Sequence, residues 1–501
     1  MSTKIERIGI MTKVKTRYGT FDGFVDENGV KTWLGIPYAK PPVGKLRWQL
    51  PQALEPSDKT FDAKRFGFSA IQEDDKLEKA SQNPQSEDCL TINIWNRSDK
   101  KNLPVMVFIH GGSFMHGGSN DPTYSGTHIA KAHDVIVVTF NYRLNIFGFM
   151  NLSSIDPAFE DSGHLGICDQ IAALKWVKEN IAAFGGNPDN VTIFGESAGS
   201  ISCMILSVTP AAKGLFQKAI PQSGPTRMAN TSEHVAGLVE DFLLLSGTRK
   251  MSDLLQKSSA ELKDVYLKLF ELRIKTAHSD YIPAGDGKFI PEDPFTAMRD
   301  GAARGIKFLT GINACEWGYW LLYDENYFKN FYETHERISP AMKRYKARTA
   351  KTDVEVYQAW LKDRPATDEN YMEFINQVDW RVGQELDAEH QSKFEDVYYY
   401  LFSEETARKE LGSFHGMELG FVFNSEPEET WLTPNPQLVK QIQSAWTAFA
   451  ATGNPDNELI PHWEKYSADN RQTMELNSSG CVLHKDLNTE NLNSLRYVYE
   501  D

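Results

Sequence analysis

The feature that most constrains this 501-residue chain is a serine that stands between two glycines directly after an apolar run. Residues 191–200 read VTIFGESAGS, so four β-prone residues lead into a Gly-Glu-Ser-Ala-Gly pentad and then into residues that can begin a helix. Such a pentad also arises by chance. A sharp turn from strand to helix, however, needs glycines on both sides, because side chains there would collide. We therefore expect Ser197 at the tip of a strained turn between a buried strand and a helix.

Apolar runs of strand length recur along the chain and alternate with helical patterns. The runs are VMVFI (105–109), VIVVTF (135–140), VTIF (191–194), KFLTGI (307–312) and VYYYLF (397–402). Between two of them, apolar residues at three- and four-residue spacing predict a helix over 167–181. Strands that are apolar throughout and separated by helices indicate an α/β fold, with a mostly parallel central sheet and helices on both faces.

Charge-rich helical stretches replace the strand pattern near 230–275 and again near 325–392. We interpret both as insertions that form a helical cap over one end of the sheet. No repeat, low-complexity tract or linker divides the chain, so we expect one domain over residues 1–501.

The charge balance and the cysteines limit which binding partners and which cellular compartment we expect. Lys and Arg total 53 against 68 Asp and Glu, which gives a formal charge of -15, and an acidic surface repels nucleic acid and anionic membranes. The N-terminal segment lacks the apolar run of a secretory signal, and the five cysteines are odd in number, widely spread and without a C-x-x-C pair. We expect a cytoplasmic monomer or homodimer with reduced thiols and no nucleic-acid or membrane partner. No metal or nucleotide motif is present, so we also expect no cofactor and no bound metal.

A serine hydroxyl is a weak nucleophile, so Ser197 needs a base and a group of donors that stabilise developing negative charge. The segment FIHGGSF (108–114) follows a predicted strand, and its glycine pair lets the backbone approach a substrate closely. We assign the backbone N–H groups of Gly112, Ser113 and Ala198 as oxyanion donors. The helix that begins at Ala198 directs its positive dipole end toward the same point.

In an α/β hydrolase the partners of the nucleophile follow in the order serine, acid, histidine. Several histidines follow Ser197, at positions 234, 278, 335, 390, 415, 462 and 484. His415 is the one in a short Gly-bounded loop soon after a buried-strand candidate, and Glu316 stands just beyond the run KFLTGI. Spacing alone leaves both assignments open, because a single His or Glu in a loop is usually only solvated.

Together these segments resemble the type-B carboxylesterases, a family that includes bacterial para-nitrobenzyl esterases and animal cholinesterases. The matching segments are 35–48, 86–95, 109–114, 141–149, 163–199, 282–291, 414–423 and 446–455. The resemblance extends from about residue 18 to 480 and implies the α/β-hydrolase fold, with Ser197, Glu316 and His415 as the catalytic triad.

The resemblance also implies roles for four residues around the triad. Arg47 and Glu87 would form a buried ion pair. Ser223 would support the triad acid from behind, and Glu196 would line the substrate site beside the nucleophile.

This chain departs from the family pattern at three places. Many members have a glycine where Ser113 stands, which is harmless if only its N–H is used. The usual Asp-Glu-Gly around the acid is Cys315-Glu316-Trp317 here. Cys89 matches a cysteine that is disulfide-bonded in secreted relatives, but no cysteine precedes it in this chain, which favours an intracellular bacterial type.

The resulting hypothesis is a serine carboxylesterase that hydrolyses short-chain or aryl esters through an acyl-enzyme on Ser197. An amidase or carbamate hydrolase would use the same triad and stays open. A non-catalytic binding protein of the neuroligin type is disfavoured, because neuroligins lack the nucleophile. The candidates for an apolar substrate pocket are Phe114, Met115, Trp317, Tyr319 and Trp320.

Overall fold

The structure, a computed structural model, describes residues 8–77, 79–230, 232–273, 280–327, 353–425 and 433–500. Thirteen strands form one sheet. They are β1 (Ile8–Thr16), β2 (Gly19–Val25), β3 (Lys31–Pro37), β4 (Thr60–Asp62), β5 (Thr91–Asn96), β6 (Leu103–Ile109), β7 (Ile136–Phe140), β8 (Gly186–Glu196), β9 (Lys218–Gln222), β10 (Lys307–Asn313), β11 (Val397–Phe402), β12 (Thr473–Leu476) and β13 (Val482–His484).

The order across the sheet is β1-β2-β3-β5-β7-β6-β8-β9-β10-β11-β12-β13, with β4 beside β2. Every pair from β7 to β12 is parallel, whereas the strands before β7 pair antiparallel along this path and β13 is antiparallel to β12. The prediction of a mostly parallel sheet is confirmed. The five predicted strand runs coincide with β6, β7, β8, β10 and β11.

Helices cover both faces of this sheet. They are α1 (Thr127–Ala132), α2 (Asn145–Gly148), α3 (Leu165–Asn180), α4 (Ala198–Val208), α5 (Ser232–Ser246), α6 (Met251–Gln256), α7 (Ser259–Leu272), α8 (Pro294–Arg299), α9 (Asp353–Leu361), α10 (Asp368–Asn376), α11 (Val382–Ser392), α12 (Leu419–Val422), α13 (Pro436–Thr452) and α14 (Thr489–Leu495). Helix α3 matches the helix predicted over 167–181.

Alternate residues of the central strands enter two different cores. Along β6, Val105 and Val107 belong to the core on one face, whereas Met106 and Phe108 belong to the core on the other. Helices α3 and α4 contribute to the first core and α13 to the second. Burial on both faces explains why these strands are apolar throughout rather than alternating.

The predicted cap stretches are helical where the structure describes them. The stretch 230–275 contains α5, α6 and α7, and 325–392 contains α9, α10, a π-helix (Gln377–Arg381) and α11. Residues 328–352 of the second stretch lie outside the described residues. Helix α11 packs against β10 and β11. This helix therefore lies against the sheet, and the division of the chain into a sheet domain with cap insertions stays a prediction.

In the parallel centre of the sheet, the carboxyl ends of β6, β8, β10 and β11 lie at one edge. This is where α/β sheets place their sites. Within the described part of the chain, no helix is long and apolar enough to cross a bilayer, and no three His, Cys, Asp or Glu side chains are grouped so that they could hold a metal ion.

Candidate active site

Ser197 occupies the turn between β8 and α4 in a conformation that serine rarely adopts. Its backbone angles are φ 57° and ψ -120°. Such a conformation costs about 1–3 kcal/mol and persists only where the surrounding structure fixes it. The Ser197 N–H donates a hydrogen bond of 2.9 Å to the carbonyl of Gln222 at the end of β9, which anchors the turn to the neighbouring strand. The predicted strained turn is present.

The two glycines of the pentad lie against the neighbouring strand β6. A Cβ on Gly195 would come 2.6 Å from the carbonyl oxygen of Ile109, and a Cβ on Gly199 would overlap that same oxygen. Both positions therefore exclude any larger residue, as the sequence predicted.

A second loop, between β6 and α1, lies against this turn. A Cβ on Gly111 would be 3.3 Å from the Cβ of Ser197. Gly112, Ser113 and Phe114 follow with positive φ angles of 99°, 53° and 58°. The N–H groups of Met115 and His116 donate to the Gly112 carbonyl.

The three assigned donors are available at this place. Within the described residues, the N–H groups of Gly112, Ser113 and Ala198 make no hydrogen bond to the protein. Ala198 is the first residue of α4, where backbone N–H groups have no partner inside the helix.

His415 and Glu316 form a buried pair beside the turn. The imidazole Nδ1 and the carboxylate Oε2 are 2.6 Å apart, and the Glu316 side chain is fully buried. The other carboxylate oxygen of Glu316 accepts hydrogen bonds from the Ser223 hydroxyl (2.6 Å) and the Asn313 N–H (2.7 Å). Because these two donors fix the carboxylate, it holds the imidazole with its proton on Nδ1 and leaves Nε2 for proton transfer.

Glu196 lies beside the same imidazole. Its side chain is buried, and its Oε1 is 3.0 Å from Nε2 of His415. Burial lowers the pKa of His415, but the negative charges of Glu196 and Glu316 raise it by more, to about 9. The Ser197 hydroxyl makes no hydrogen bond with a described residue, and such contacts often tighten only when substrate binds.

A third carboxyl group lies behind the pair. Glu418 is buried and accepts hydrogen bonds from the Gln222 amide (2.9 Å) and the Asn313 amide (2.6 Å). Burial and, secondarily, the charge of Glu316 raise the pKa of Glu418 to about 7.

The predicted substrate-pocket residues differ in how deeply they are buried. Tyr319 and Trp320 are half-buried, and their rings lie 6.1 and 6.0 Å from the imidazole of His415. Trp317 is buried and donates its indole N–H to Asp379 (3.1 Å).

Phe114 and Met115 are fully buried in the core, where the Phe114 ring packs against Phe149. The positive φ of Phe114 directs its side chain into this core, and the assignment of both residues to the substrate pocket stays a prediction.

Sequence reasoning missed Trp380. Its ring lies 4.4 Å from the imidazole of His415, nearer than any predicted aromatic residue. Trp380 belongs to the π-helix Gln377–Arg381, a distortion that is frequent at functional sites. No sequence motif marks this contact, because the tryptophan is 35 positions before the histidine and the two meet only through packing.

The chain matches known proteins over almost its whole length. The family described as the carboxylesterase family matches residues 11–495. The chain is 40% identical over 480 residues to the para-nitrobenzyl esterase of Bacillus subtilis, which covers 93% of this chain and 94% of that protein. It is 30% identical to the acetylcholinesterase of Danio rerio, over 95% of this chain and 86% of that protein.

Solved structures give the same result. A thermophilic para-nitrobenzyl esterase superposes with a TM-score of 0.85 at 37% identity, over 97% of this chain and 99% of that one. A carboxylesterase of Geobacillus stearothermophilus superposes with a TM-score of 0.83 at 34% identity, over 96% of this chain and 99% of that one.

Proposed function

The chain belongs to the carboxylesterase family and hydrolyses carboxylic esters, and from this premise we propose that Ser197, His415 and Glu316 carry out the reaction. Ser197 Oγ attacks the ester carbonyl carbon while Nε2 of His415 takes its proton. Glu316 orients the imidazole and stabilises the imidazolium that forms. His415 then gives its proton to the leaving alcohol, and water releases the acyl group through the same base.

The observation that carries this proposal is the buried His415–Glu316 pair, 2.6 Å apart, beside the strained serine turn. Every group in it is held by the fold: Glu316 by Ser223 and Asn313, and the turn by the hydrogen bond from Ser197 to Gln222. Preorganised geometry of this kind lowers a barrier without reorganisation during the reaction.

The N–H groups of Gly112, Ser113 and Ala198 are the oxyanion donors in this proposal. All three lack a partner in the described protein. Two of them lie in the positive-φ loop and the third begins α4. The loss of one such donor typically lowers kcat by about 100- to 1000-fold.

We propose aryl and short-chain esters as the substrate class. Tyr319, Trp320 and Trp380 surround the imidazole of His415 and offer flat apolar surfaces to a planar leaving group. The name of the Bacillus relative, a para-nitrobenzyl esterase, points to the same class.

We also propose that the protein works in a reducing compartment such as the bacterial cytoplasm. All five cysteines are free, and four of them are buried.

Substitution of the nucleophile tests the mechanism. Ser197→Ala should lose nearly all hydrolysis of para-nitrophenyl acetate and butyrate while its unfolding transition stays close to that of the wild type. A fluorophosphonate should label Ser197 in the wild type. Ser207→Ala is the matched control, because Ser207 lies at the far end of α4 and its hydroxyl donates to the Cys203 carbonyl. An adduct on another serine, or an active Ser197→Ala protein, would refute the assignment.

A further inference from the structure

The loop at residues 110–117, here called the oxyanion loop because it carries two of the proposed oxyanion donors, is held in a backbone conformation that its own residues do not favour. Gly112, Ser113 and Phe114 have consecutive positive φ angles, and two of the three carry a side chain. A conformation of this kind persists only where contacts from outside the segment fix it. Contacts from other segments must therefore hold the loop in this conformation.

Asn145, at the start of α2, makes two hydrogen bonds to this loop. It is fully buried. Its backbone N–H donates to the Phe114 carbonyl (2.8 Å), and its side-chain Nδ2 donates to the Met115 carbonyl (3.2 Å). Two consecutive peptide planes of the loop are therefore fixed by one residue.

The same side-chain amide also connects the loop to the segment that contains Ile71. Nδ2 of Asn145 donates to the Ile71 carbonyl (2.7 Å). The neighbouring Gln72 accepts a hydrogen bond from the Gly117 N–H (2.8 Å) and donates to the Gly117 carbonyl (2.9 Å). The loop is thus held at two points that follow its donors, at Met115 and at Gly117.

Asparagine suits this position for two physical reasons. The residue has a positive φ of 45°, which asparagine tolerates better than most residues with a side chain. Its amide also provides two N–H donors, and both are used here, one for each carbonyl.

We propose that Asn145 is a positioning residue for the oxyanion hole, which acts by fixing the peptide planes after Phe114 and Met115 and thereby holds in place the adjoining turn that carries the N–H groups of Gly112 and Ser113. It touches neither substrate nor the triad. This inference rests on the proposed function, because it assigns a task to donors that the proposed mechanism uses.

The test removes the side-chain donors and leaves the backbone unstrained. Asn145→Gly keeps the backbone N–H and tolerates positive φ. Asn145→Asp keeps the shape and replaces the donating amide by a carboxyl group. Asn96→Gly is the matched control, because Asn96 is also buried and its amide donates to a backbone carbonyl, that of Phe184, far from the loop. All rates are divided by the number of sites that a fluorophosphonate titrates.

We expect both Asn145 variants to lose kcat on para-nitrophenyl butyrate by at least about tenfold, with KM within about twofold of the wild type. The inhibition constant of a trifluoromethyl ketone, which forms a tetrahedral adduct with the serine, should rise in parallel with the loss of kcat/KM. The pH midpoint of kcat/KM should not move, and Asn96→Gly should keep the wild-type kcat.

Unchanged kcat and unchanged trifluoromethyl ketone affinity in both Asn145 variants would overturn the proposal. A loss confined to Asn145→Gly would also overturn it, because the cavity rather than the lost donors would then be the cause. An active Ser197→Ala protein would instead overturn the proposed function. An inactive Ser197→Ala protein together with a fully active Asn145→Gly protein would overturn the positioning role alone.

Discussion

At the scale of single residues, the imidazole of His415 lies between two carboxylates with different tasks. Glu316 is 2.6 Å from Nδ1, and two donors, Ser223 and Asn313, fix its orientation. Glu196 is 3.0 Å from Nε2, the atom that must accept the proton of Ser197. In the proposed mechanism Glu316 therefore orients the base, whereas Glu196 acts on its charge.

Glutamine substitutions separate these tasks. Glu316→Gln should lower kcat on para-nitrophenyl acetate by at least about a hundredfold, because an amide does not hold the imidazole in the required tautomer. Glu196→Gln should keep more of kcat and shift the pH profile instead. The carboxylate of Glu196 raises the pKa of His415, so the imidazole is charged and unable to accept a proton up to a higher pH. Removal of that charge should move the acid limb of kcat/KM to lower pH.

The measurement is kcat and kcat/KM for the two variants and the wild type across the pH range, per titrated site. Near-wild-type kcat in Glu316→Gln would place the triad acid elsewhere. An acid limb that stays in place in Glu196→Gln would mean that Glu196 does not set the charge of the base.

At the scale of elements, the site depends on how closely β8 and α4 approach β6. The carbonyl oxygen of Ile109, the last residue of β6, faces both glycines of the pentad. This contact brings the start of α4, with the Ala198 N–H, beside the loop that follows β6. The glycines therefore set the distance between the N–H groups that we propose as oxyanion donors.

Alanine at Gly199 should damage both stability and activity. Its Cβ would overlap the Ile109 carbonyl oxygen, so α4 has to move away from β6, and overpacking of this kind typically costs about 1–3 kcal/mol. The displaced Ala198 N–H should lower kcat as well. Gly237→Ala in α5 is the control, because the nearest atom to its Cβ would be the Arg273 Nη1 at 4.0 Å.

Urea unfolding midpoints and kcat per titrated site measure the outcome. Gly237→Ala should raise the free energy of unfolding by about 0.5–1 kcal/mol, the helix preference for alanine over glycine. If Gly199→Ala matched the Gly237→Ala protein in stability and the wild type in kcat, the close approach of α4 to β6 would not be required.

At the scale of the whole molecule, the parallel centre of the sheet assembles the site and the core needs no covalent link. The oxyanion loop follows β6, Ser197 follows β8, Glu316 follows β10 and His415 follows β11.

All five cysteines are free: Cys89, Cys168, Cys203 and Cys481 are buried, and Cys315 is half-buried. Burial raises the pKa of their thiols, that of Cys481 to about 11, so they are poor nucleophiles in the folded protein.

Thiol titration should therefore give five groups in denaturant, with or without prior reduction, and slow reaction in the native state. A reducing agent should change neither activity nor melting temperature. A count below five that rises after reduction would reveal a disulfide and contradict the proposed reducing compartment.

The local sequence determined the serine turn and the strands around it. The turn was predictable because its constraint is local: the two glycines and the strand before them lie within nine residues, 191–199. The central strands were predictable because burial on both faces leaves them apolar throughout. The antiparallel strands before β7 carry no such uniform signal: β1, for example, contains Lys13 and Lys15 among apolar residues.

The directions of the side chains around the site were decided only by the tertiary structure. Phe114 follows two positive-φ residues and has a positive φ itself, and its side chain enters the core. Trp380 reaches His415 because the π-helix Gln377–Arg381 packs against β10, and Glu196 turns toward the imidazole because the β8–α4 turn fixes its backbone. These contacts join residues that are distant in the chain, and their geometry depends on how whole elements pack. A motif specifies which residue types meet, whereas packing specifies which atoms face one another.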